Sequence, residues 1–392
     1  MLQRTEMPPL AIALGLVLLL GCGLDRLLAG SERSSYPVVG LDVSAGIDRG
    51  YRGQYAADAR FLELLERMPA LRARALARAR LATGLAPGDP AAYVVRFKDT
   101  CPGATFAASS QPVRAEQGVR LLVTVSARQF VLGVIEREAA LAHEFIHGLM
   151  REHMGSAAYQ ALPVWLREGI AVWGSGQLAE RSRNVIAAAF LQRRHPRAAL
   201  AELTAPSPGP DVYLRHALLF EYLHRVHGPR AVPALVARLV AGDRPWPALE
   251  AVSGRGWQGL AERSDRFSRE YFRRLLEDSG LAALQAARRL YDWGRRERAL
   301  RLLERAVVAH AGSILEAPAW YWIGRWRCEL GRPLAAAAAF ATVLRRFPGH
   351  LGLRDDSRRR LAECALRLTA ADSWSAWAVL TPDATAANLA AR

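Results

Sequence analysis

From Ile135 almost to the end of the chain, apolar residues recur at the spacing of an α-helix, interrupted only by short segments rich in glycine and proline. A helical pattern of that extent leaves little of the chain for a sheet. Only two runs have the composition of β-strands, and they lie at 92–97 and 119–125. The sequence therefore predicts an α+β fold that is predominantly helical, with a small N-terminal sheet against a helical body.

The N-terminal segment 1–30 has the features of a targeting signal. Its apolar stretch, 10–20, is shorter than the roughly 20 residues that a membrane span needs. The stretch ends in Leu-Leu-Gly-Cys22, which resembles the lipobox of bacterial lipoproteins and implies a lipid on Cys22. Ordinary secretory cleavage nearer Gly30 and an uncleaved anchor are the alternatives. All three predict an extracytoplasmic protein, either attached to a membrane or secreted into the periplasm or beyond.

Proline and glycine divide the chain that follows. Residues 31–87 are predicted to contain a linker, 31–55, and two helices that Pro69 separates within 56–83. The unit at 88–280 begins with the two strands and continues as helices. Their predicted ranges are about 135–152, 163–174, 177–203, 211–227, 229–241 and 256–278.

Residues 281–370 form a further predicted unit of helices. Its second half resembles the tetratricopeptide repeat, a helix–turn–helix unit, and the matching residues are Trp320, Ile323, Gly324, Gly331, Ala336, Phe340, Val343 and Pro348. A degenerate copy over 283–306 precedes it, and a helix from Asp356 to Leu368 would cap the stack. The resemblance implies a surface that docks a protein partner, whereas a generic helical hairpin is the alternative. Residues 371–392 are predicted to be a tail.

The charge pattern and the number of cysteines argue against a nucleic-acid partner and against a disulfide-stabilised scaffold. The net charge is +16, but Lys98 is the only lysine and the arginines are spread along the chain. The densest basic run, 71–80, has no interleaved aromatic residues, so we predict no nucleic-acid partner. Four cysteines are too few for a disulfide scaffold. Cys328 and Cys364 lie on neighbouring predicted helices, where they either pair or remain two separate buried thiols.

The stretch His143-Glu144-Phe-Ile-His147 carries the clearest chemistry. Two histidines four residues apart lie above one another on a helix, where their imidazoles can hold one metal ion. The intervening Glu144 is placed to take a proton from a water molecule. Apolar residues flank the motif on nearly every side, which predicts a buried helix whose polar groups need partners or a metal. The sequence therefore predicts a zinc site.

A catalytic zinc site needs a third protein ligand and an open fourth position. His153 follows His147 at the offset of the metzincin motif, but Met150 occupies the position of the glycine that breaks the helix in that motif. On an unbroken helix, His153 is rotated away from the face that carries the first two histidines. The other candidate is Glu168, within Trp165-Leu-Arg-Glu168-Gly-Ile-Ala-Val.

The second candidate brings in a family resemblance. The segment around Glu168 resembles the Trp-Leu-x-Glu-Gly-x-Ala helix that follows the His-Glu-x-x-His helix in gluzincin metallopeptidases of the peptidase MA-like group. The resemblance covers about 88–278, and only these two motifs are highly specific. It implies one Zn²⁺ per chain on His143, His147 and Glu168. It also implies that Gly169 and Ala171 let the Glu168 helix approach the first helix closely.

The same resemblance implies a function. We expect a zinc metallopeptidase that hydrolyses peptide or protein substrates, with Glu144 as the general base that passes its proton to the leaving amine. Tyr213 and His216 are the family-guided candidates for donors to the oxyanion, and the edge strand of the sheet is expected to bind an extended peptide. The alternative is a non-catalytic scaffold or assembly lipoprotein with a structural zinc domain.

Overall fold

The computed structural model describes residues 36–37, 39–99, 108–115, 118–133, 135–183, 212–277, 279–347 and 350–366. Helices dominate these ranges, and the strands form one small sheet near the N-terminus. The predicted α+β, mostly helical fold is thus confirmed. No helix within the described ranges is both long and apolar enough to cross a membrane. The signal segment with Cys22, the tail 371–392 and Cys101 lie outside them.

The described residues contain a five-stranded sheet with the spatial order β1-β2-β3-β5-β4. The strands are β1 Val43–Ser44, β2 Ile47–Asp48, β3 Tyr93–Lys98, β4 Ala108–Ala115 and β5 Gly118–Ser126. β3 and β5 are parallel, with Tyr93 opposite Leu121, and β4 is antiparallel to β5 at one edge. The two predicted strands are therefore neighbours at the centre of the sheet.

The two faces of the sheet are buried in different ways. Side chains alternate along β3, so Val95 points toward the main core while Val94 points to the opposite face. That opposite face is covered by Val39 and Leu41. Residues 39–48 thus belong to the fold, and the prediction of a linker over 31–55 was wrong for this part. Short strands joined by a tight turn have too few residues to show a period in sequence.

The edge strand β4 lies between the two runs with strand composition and was not predicted from the sequence. Its segment Ala-Ser-Ser-Gln-Pro-Val-Arg-Ala has few apolar residues and contains Pro112. It becomes a strand because it pairs along its whole length with β5, whose own pattern is strongly apolar. Edge strands tolerate proline and polar residues, which is why pattern alone does not identify them.

Helix α1, Ala59–Thr83, runs through Pro69 without a break, so the prediction of two helices was wrong. Asp58 caps its start and Gly84, in a left-handed conformation, caps its end. Proline removes one backbone hydrogen bond. The buried side chains on both sides of it, including Phe61, Met68 and Leu76, keep the helix continuous because they pack into one core with the neighbouring helix Arg137–Met154.

The central helices follow the predicted ranges closely. They are α2 Ala127–Val131, α3 Arg137–Met154, α4 Ser156–Ala161, α5 Val164–Gly174, α6 Val212–His227, α7 Ala231–Val240, α8 Pro245–Ser253 and α9 Trp257–Glu277. Residues 177–183 are also helical, and the rest of the helix predicted to end at 203 lies outside the described residues. α2, α4 and α8 had not been predicted.

The C-terminal unit is a stack of helices in which sequence neighbours pack together. Its helices are α10 Leu281–Asp292, α11 Arg296–Ala309, α12 Glu316–Glu329, α13 Pro333–Arg346 and α14 Leu351–Leu366. A Cβ on Gly324 would lie 2.7 Å from the Phe340 ring, so this glycine allows α12 and α13 to approach closely. The predicted capping helix begins at Leu351 rather than Asp356.

The C-terminal stack shares a hydrophobic core with the central helices. Val172 of α5 and Leu214 and Leu218 of α6 belong to the same buried cluster as Leu281 and Phe340 of the stack. The sequence boundary near residue 280 is therefore not a gap in packing. Through Val172, helix α5 packs in the same core as the C-terminal stack.

Cys328 and Cys364 lie side by side on α12 and α14, with their Sγ atoms 3.3 Å apart. A disulfide requires a separation of about 2.05 Å, so a small shift would join them. On exposure of the full-length chain to oxidised glutathione, we expect an intramolecular disulfide that transfers both thiol hydrogens to the reagent. Mass spectrometry of the trapped, unfolded protein measures it. Continued alkylation of both cysteines after that treatment would contradict the expectation.

Gly169 of α5 gives a test of the packing around that helix. An added Cβ would lie 2.4 Å from the Phe220 ring and 3.1 Å from the backbone of His216, both on α6. We expect Gly169→Ala to lower the free energy of unfolding by about 1–3 kcal/mol through overpacking. Urea unfolding in the presence of a chelator measures this. Gly259→Ala in α9, where a Cβ meets nothing within 4 Å, should be neutral or stabilising by up to about 1 kcal/mol, and equal effects would contradict the packing argument.

Candidate metal centre

Helix α3 places the His-Glu-x-x-His motif in the interior. The Glu136 side chain caps its start, and α1, α5, α7 and strand β4 pack around it. Buried apolar residues occupy most of its faces, and Glu144 and His147 are themselves buried. The predicted burial of this helix is confirmed. Polar groups in such a position need partners, which other elements must supply.

Helix α5 supplies one of these partners, Glu168. The chain reverses through α4 and enters α5 just after Pro163, as predicted. Gly169 faces α6 rather than α3, because the atoms an added Cβ would meet belong to Phe220 and His216. The expectation that Gly169 permits close approach to the first helix was therefore wrong. Its close approach is to α6, which packs against a different side of α5.

Three ligand atoms from two helices converge. The Nε2 atoms of His143 and His147 are 3.0 Å apart. The Glu168 carboxylate lies 3.4 Å from His143 Nε2 through Oε2 and 3.5 Å from His147 Nε2 through Oε1. In the part of the chain that the structure describes, these three residues form the one group of histidine, cysteine and acidic side chains close enough to share a metal ion.

The separations fit a tetrahedral metal. Ligand atoms about 2.0–2.1 Å from a zinc ion at tetrahedral angles lie about 3.3 Å from one another. The two Nε2 atoms are 3.0 Å apart, and each lies 3.4 or 3.5 Å from a different oxygen of the Glu168 carboxylate, so all three separations are close to that value. Two imidazoles and a carboxylate are also a donor set typical of zinc with one position left open. The same distances permit hydrogen bonds among the three groups, so the geometry fits a metal without being specific to one.

The carboxylate is held in its ionised form. Burial raises the pKa of the Glu168 carboxyl, but hydrogen bonds and charge from His143 and His147 outweigh burial and hold the pKa well below its usual range. The side chain is 26% exposed, against 13% for His143 and 9% for His147. Glu168 is therefore the most exposed of the three groups.

The other predicted residues lie elsewhere. His153 is exposed near the C-terminal end of α3, and its Nε2 is 2.7 Å from the carbonyl oxygen of Ala86. It lies away from the converging side chains, as predicted from the rotation of 100° per residue. Tyr213 is half-buried at the start of α6, with the Arg181 guanidinium 5.4 Å from the centre of its ring. His216, one turn later, is half-buried against Gly169. Neither Tyr213 nor His216 belongs to the group of converging ligand atoms.

Tyr159 of α4 is a site residue that the sequence analysis missed. Its hydroxyl oxygen is 2.7 Å from Nδ1 of His147, and the side chain is 2% exposed. It lies between the two motifs, in a segment for which no helix or strand was predicted. A single aromatic residue in a short reversal gives no periodic signal that would have identified it.

Comparison with models of known protein families, with curated proteins and with solved structures found no match for this chain.

The choice of third ligand can be tested directly. Glu168→Gln removes the charged oxygen pair that faces both histidines, so we expect it to weaken zinc retention and abolish any metal-dependent activity. His153→Ala should leave both nearly unchanged, because its ring contacts Ala86 and not the cluster. Zinc content after dialysis against a chelator measures retention. The reverse pattern would indicate a metzincin-like site and contradict the gluzincin assignment.

Proposed function

We propose that this protein is a zinc-dependent metallopeptidase of the gluzincin type that hydrolyses peptide bonds. The convergence of His143, His147 and Glu168 carries the proposal, together with an acidic residue, Glu144, directly after the first histidine. When bound, a zinc ion supplies Lewis-acid chemistry, which polarises a carbonyl group and makes water nucleophilic at neutral pH.

Glu144 has the role of general base in this proposal. A purely structural site has no use for this residue, since it is not one of the converging ligands and its burial is costly. In this role its side chain would accept a proton from the attacking water and pass it to the leaving amine. Tyr213 and His216 stay proposals as oxyanion donors.

The sheet supports a peptide as the class of substrate. Its edge strand β4 packs against α3, the helix that carries the motif. Arg114 of β4 exchanges backbone hydrogen bonds with Pro37 and Val39, and Pro112 has no amide hydrogen to donate. Because outward-facing positions alternate along an edge strand, an extended peptide would add at the Ala108–Ser110 end.

Location and partners are proposed from the sequence. We propose an extracytoplasmic protein that is attached to a membrane through Cys22 or an N-terminal anchor, with a protein partner docked on the C-terminal stack and no nucleic-acid partner. The scaffold alternative requires a bound zinc that serves folding alone. It differs from the peptidase proposal in one measurable respect, which is whether Glu144 matters once zinc is bound.

The test uses the full-length chain in detergent. We expect one zinc per chain after mild purification, and we expect His143→Ala and His147→Ala to lose it during purification because their affinity for zinc is weaker. Glu144→Gln keeps the size of the side chain, so zinc content and fold should survive. Cleavage in a peptide-library digest should fall by at least about 10²-fold, the lower end of a general base's contribution.

Glu152→Gln is the matched control. It makes the same chemical change on the same helix, where Glu152 contacts Gly88 and Tyr93 instead of the histidines. Zinc content and cleavage should both stay near wild type. Full zinc content in the double histidine variant would end the zinc proposal. A zinc-loaded wild type whose cellular role survives Glu144→Gln, with no peptide cleaved, would favour the scaffold.

A further inference from the structure

The imidazole of His147 is held from behind by a buried phenol. Its Nε2 faces His143 and Glu168, while its Nδ1 lies 2.7 Å from the hydroxyl oxygen of Tyr159. The two rings meet edge to face, with centroids 6.1 Å apart. His143 differs, because its Nδ1 is buried with no hydrogen-bond partner among the described residues. One histidine of the pair is therefore oriented by a specific contact.

The surroundings of Tyr159 fix its position. Guanidinium groups of Arg151 from α3 and Arg167 from α5 lie 5.0 and 5.2 Å from the centre of its ring. Arg167 also donates a hydrogen bond of 2.9 Å to Gln160, the next residue of α4. The short helix α4 is thus tied to the helices on either side of it, and Tyr159 is its one buried residue.

We propose that Tyr159 is a positioning residue for the metal centre, whose phenol oxygen accepts a hydrogen bond from Nδ1–H of His147 and so presents the Nε2 lone pair to the metal. The inference rests on the proposed zinc site. An imidazole that binds a metal through Nε2 carries its hydrogen on Nδ1, and a fixed acceptor there selects this tautomer and ring orientation. Burial raises the pKa of the Tyr159 phenol well above its usual value, so the group stays neutral.

The proposal predicts a loss of zinc affinity on removal of one oxygen atom. Tyr159→Phe keeps the ring and its packing. Loss of a residue that orients a metal ligand typically weakens metal binding by about 10–100-fold, and we expect a decrease of that size in the full-length chain. Competition for zinc with a chromophoric chelator measures it without reference to activity.

Tyr93→Phe is the matched control. Tyr93 is buried to the same extent, 2% exposed, and packs against α3 through Phe145, but its hydroxyl donates to Glu152 and not to a histidine. Its zinc affinity should equal that of wild type. Urea unfolding in chelator should show similar losses of stability in the two variants, so that a general structural effect is separated from an effect on the metal.

Variants in the histidines show whether the phenol acts through His147. In a His147→Ala background, Tyr159→Phe should have no further effect on the residual zinc affinity, whereas in a His143→Ala background the decrease should persist. Wild-type affinity in Tyr159→Phe, or an equal decrease in both backgrounds, would overturn the proposal. If instead wild type and His147→Ala bind zinc equally, the zinc site itself is wrong, and the positioning role falls with it.

Discussion

The burial of α3 is the constraint on which the rest of the site depends. Apolar side chains cover most faces of this helix, so packing against α1, α5, α7 and β4 draws His143, Glu144 and His147 into the interior. Polar side chains in the interior are costly unless they find partners. The partners come from the next two helices, which bring Glu168 to one nitrogen of His147 and Tyr159 to the other. The site is a product of how these helices pack.

Helix α5 is fixed from two sides. Its Glu168 faces α3, while Gly169 admits the Phe220 ring of α6 and Val172 enters the core shared with the C-terminal stack. A residue that orients a ligand must itself be held within a fraction of an ångström. The stack therefore contributes to the rigidity of the site although it supplies none of the converging atoms. The boundary at about residue 280 is a change in sequence pattern, and the hydrophobic core continues across it.

Charged side chains are distributed unevenly around the cluster. Glu168 is kept ionised by the two histidines, and it is the most exposed of the three groups. Behind the cluster, Arg151 and Arg167 flank the Tyr159 ring. The negative charge thus lies toward solvent and the positive charge lies behind the ligands. An ionised carboxylate among the converging side chains favours a cation there.

Sequence alone determined the α+β class, the central strands, the helix that carries the histidines and the helix that carries Glu168, because each has a strong apolar period or a specific spacing. It also placed His153 away from the site, since 100° per residue is a local rule. Tertiary structure decided what had no local signal. Pro69 stays within a helix because buried side chains lie on both sides of it, and β4 is a strand because β5 pairs with it. Gly169 packs against α6, and the Tyr159 hydroxyl contacts His147. Both contacts join residues on different helices, and no local sequence pattern predicts them.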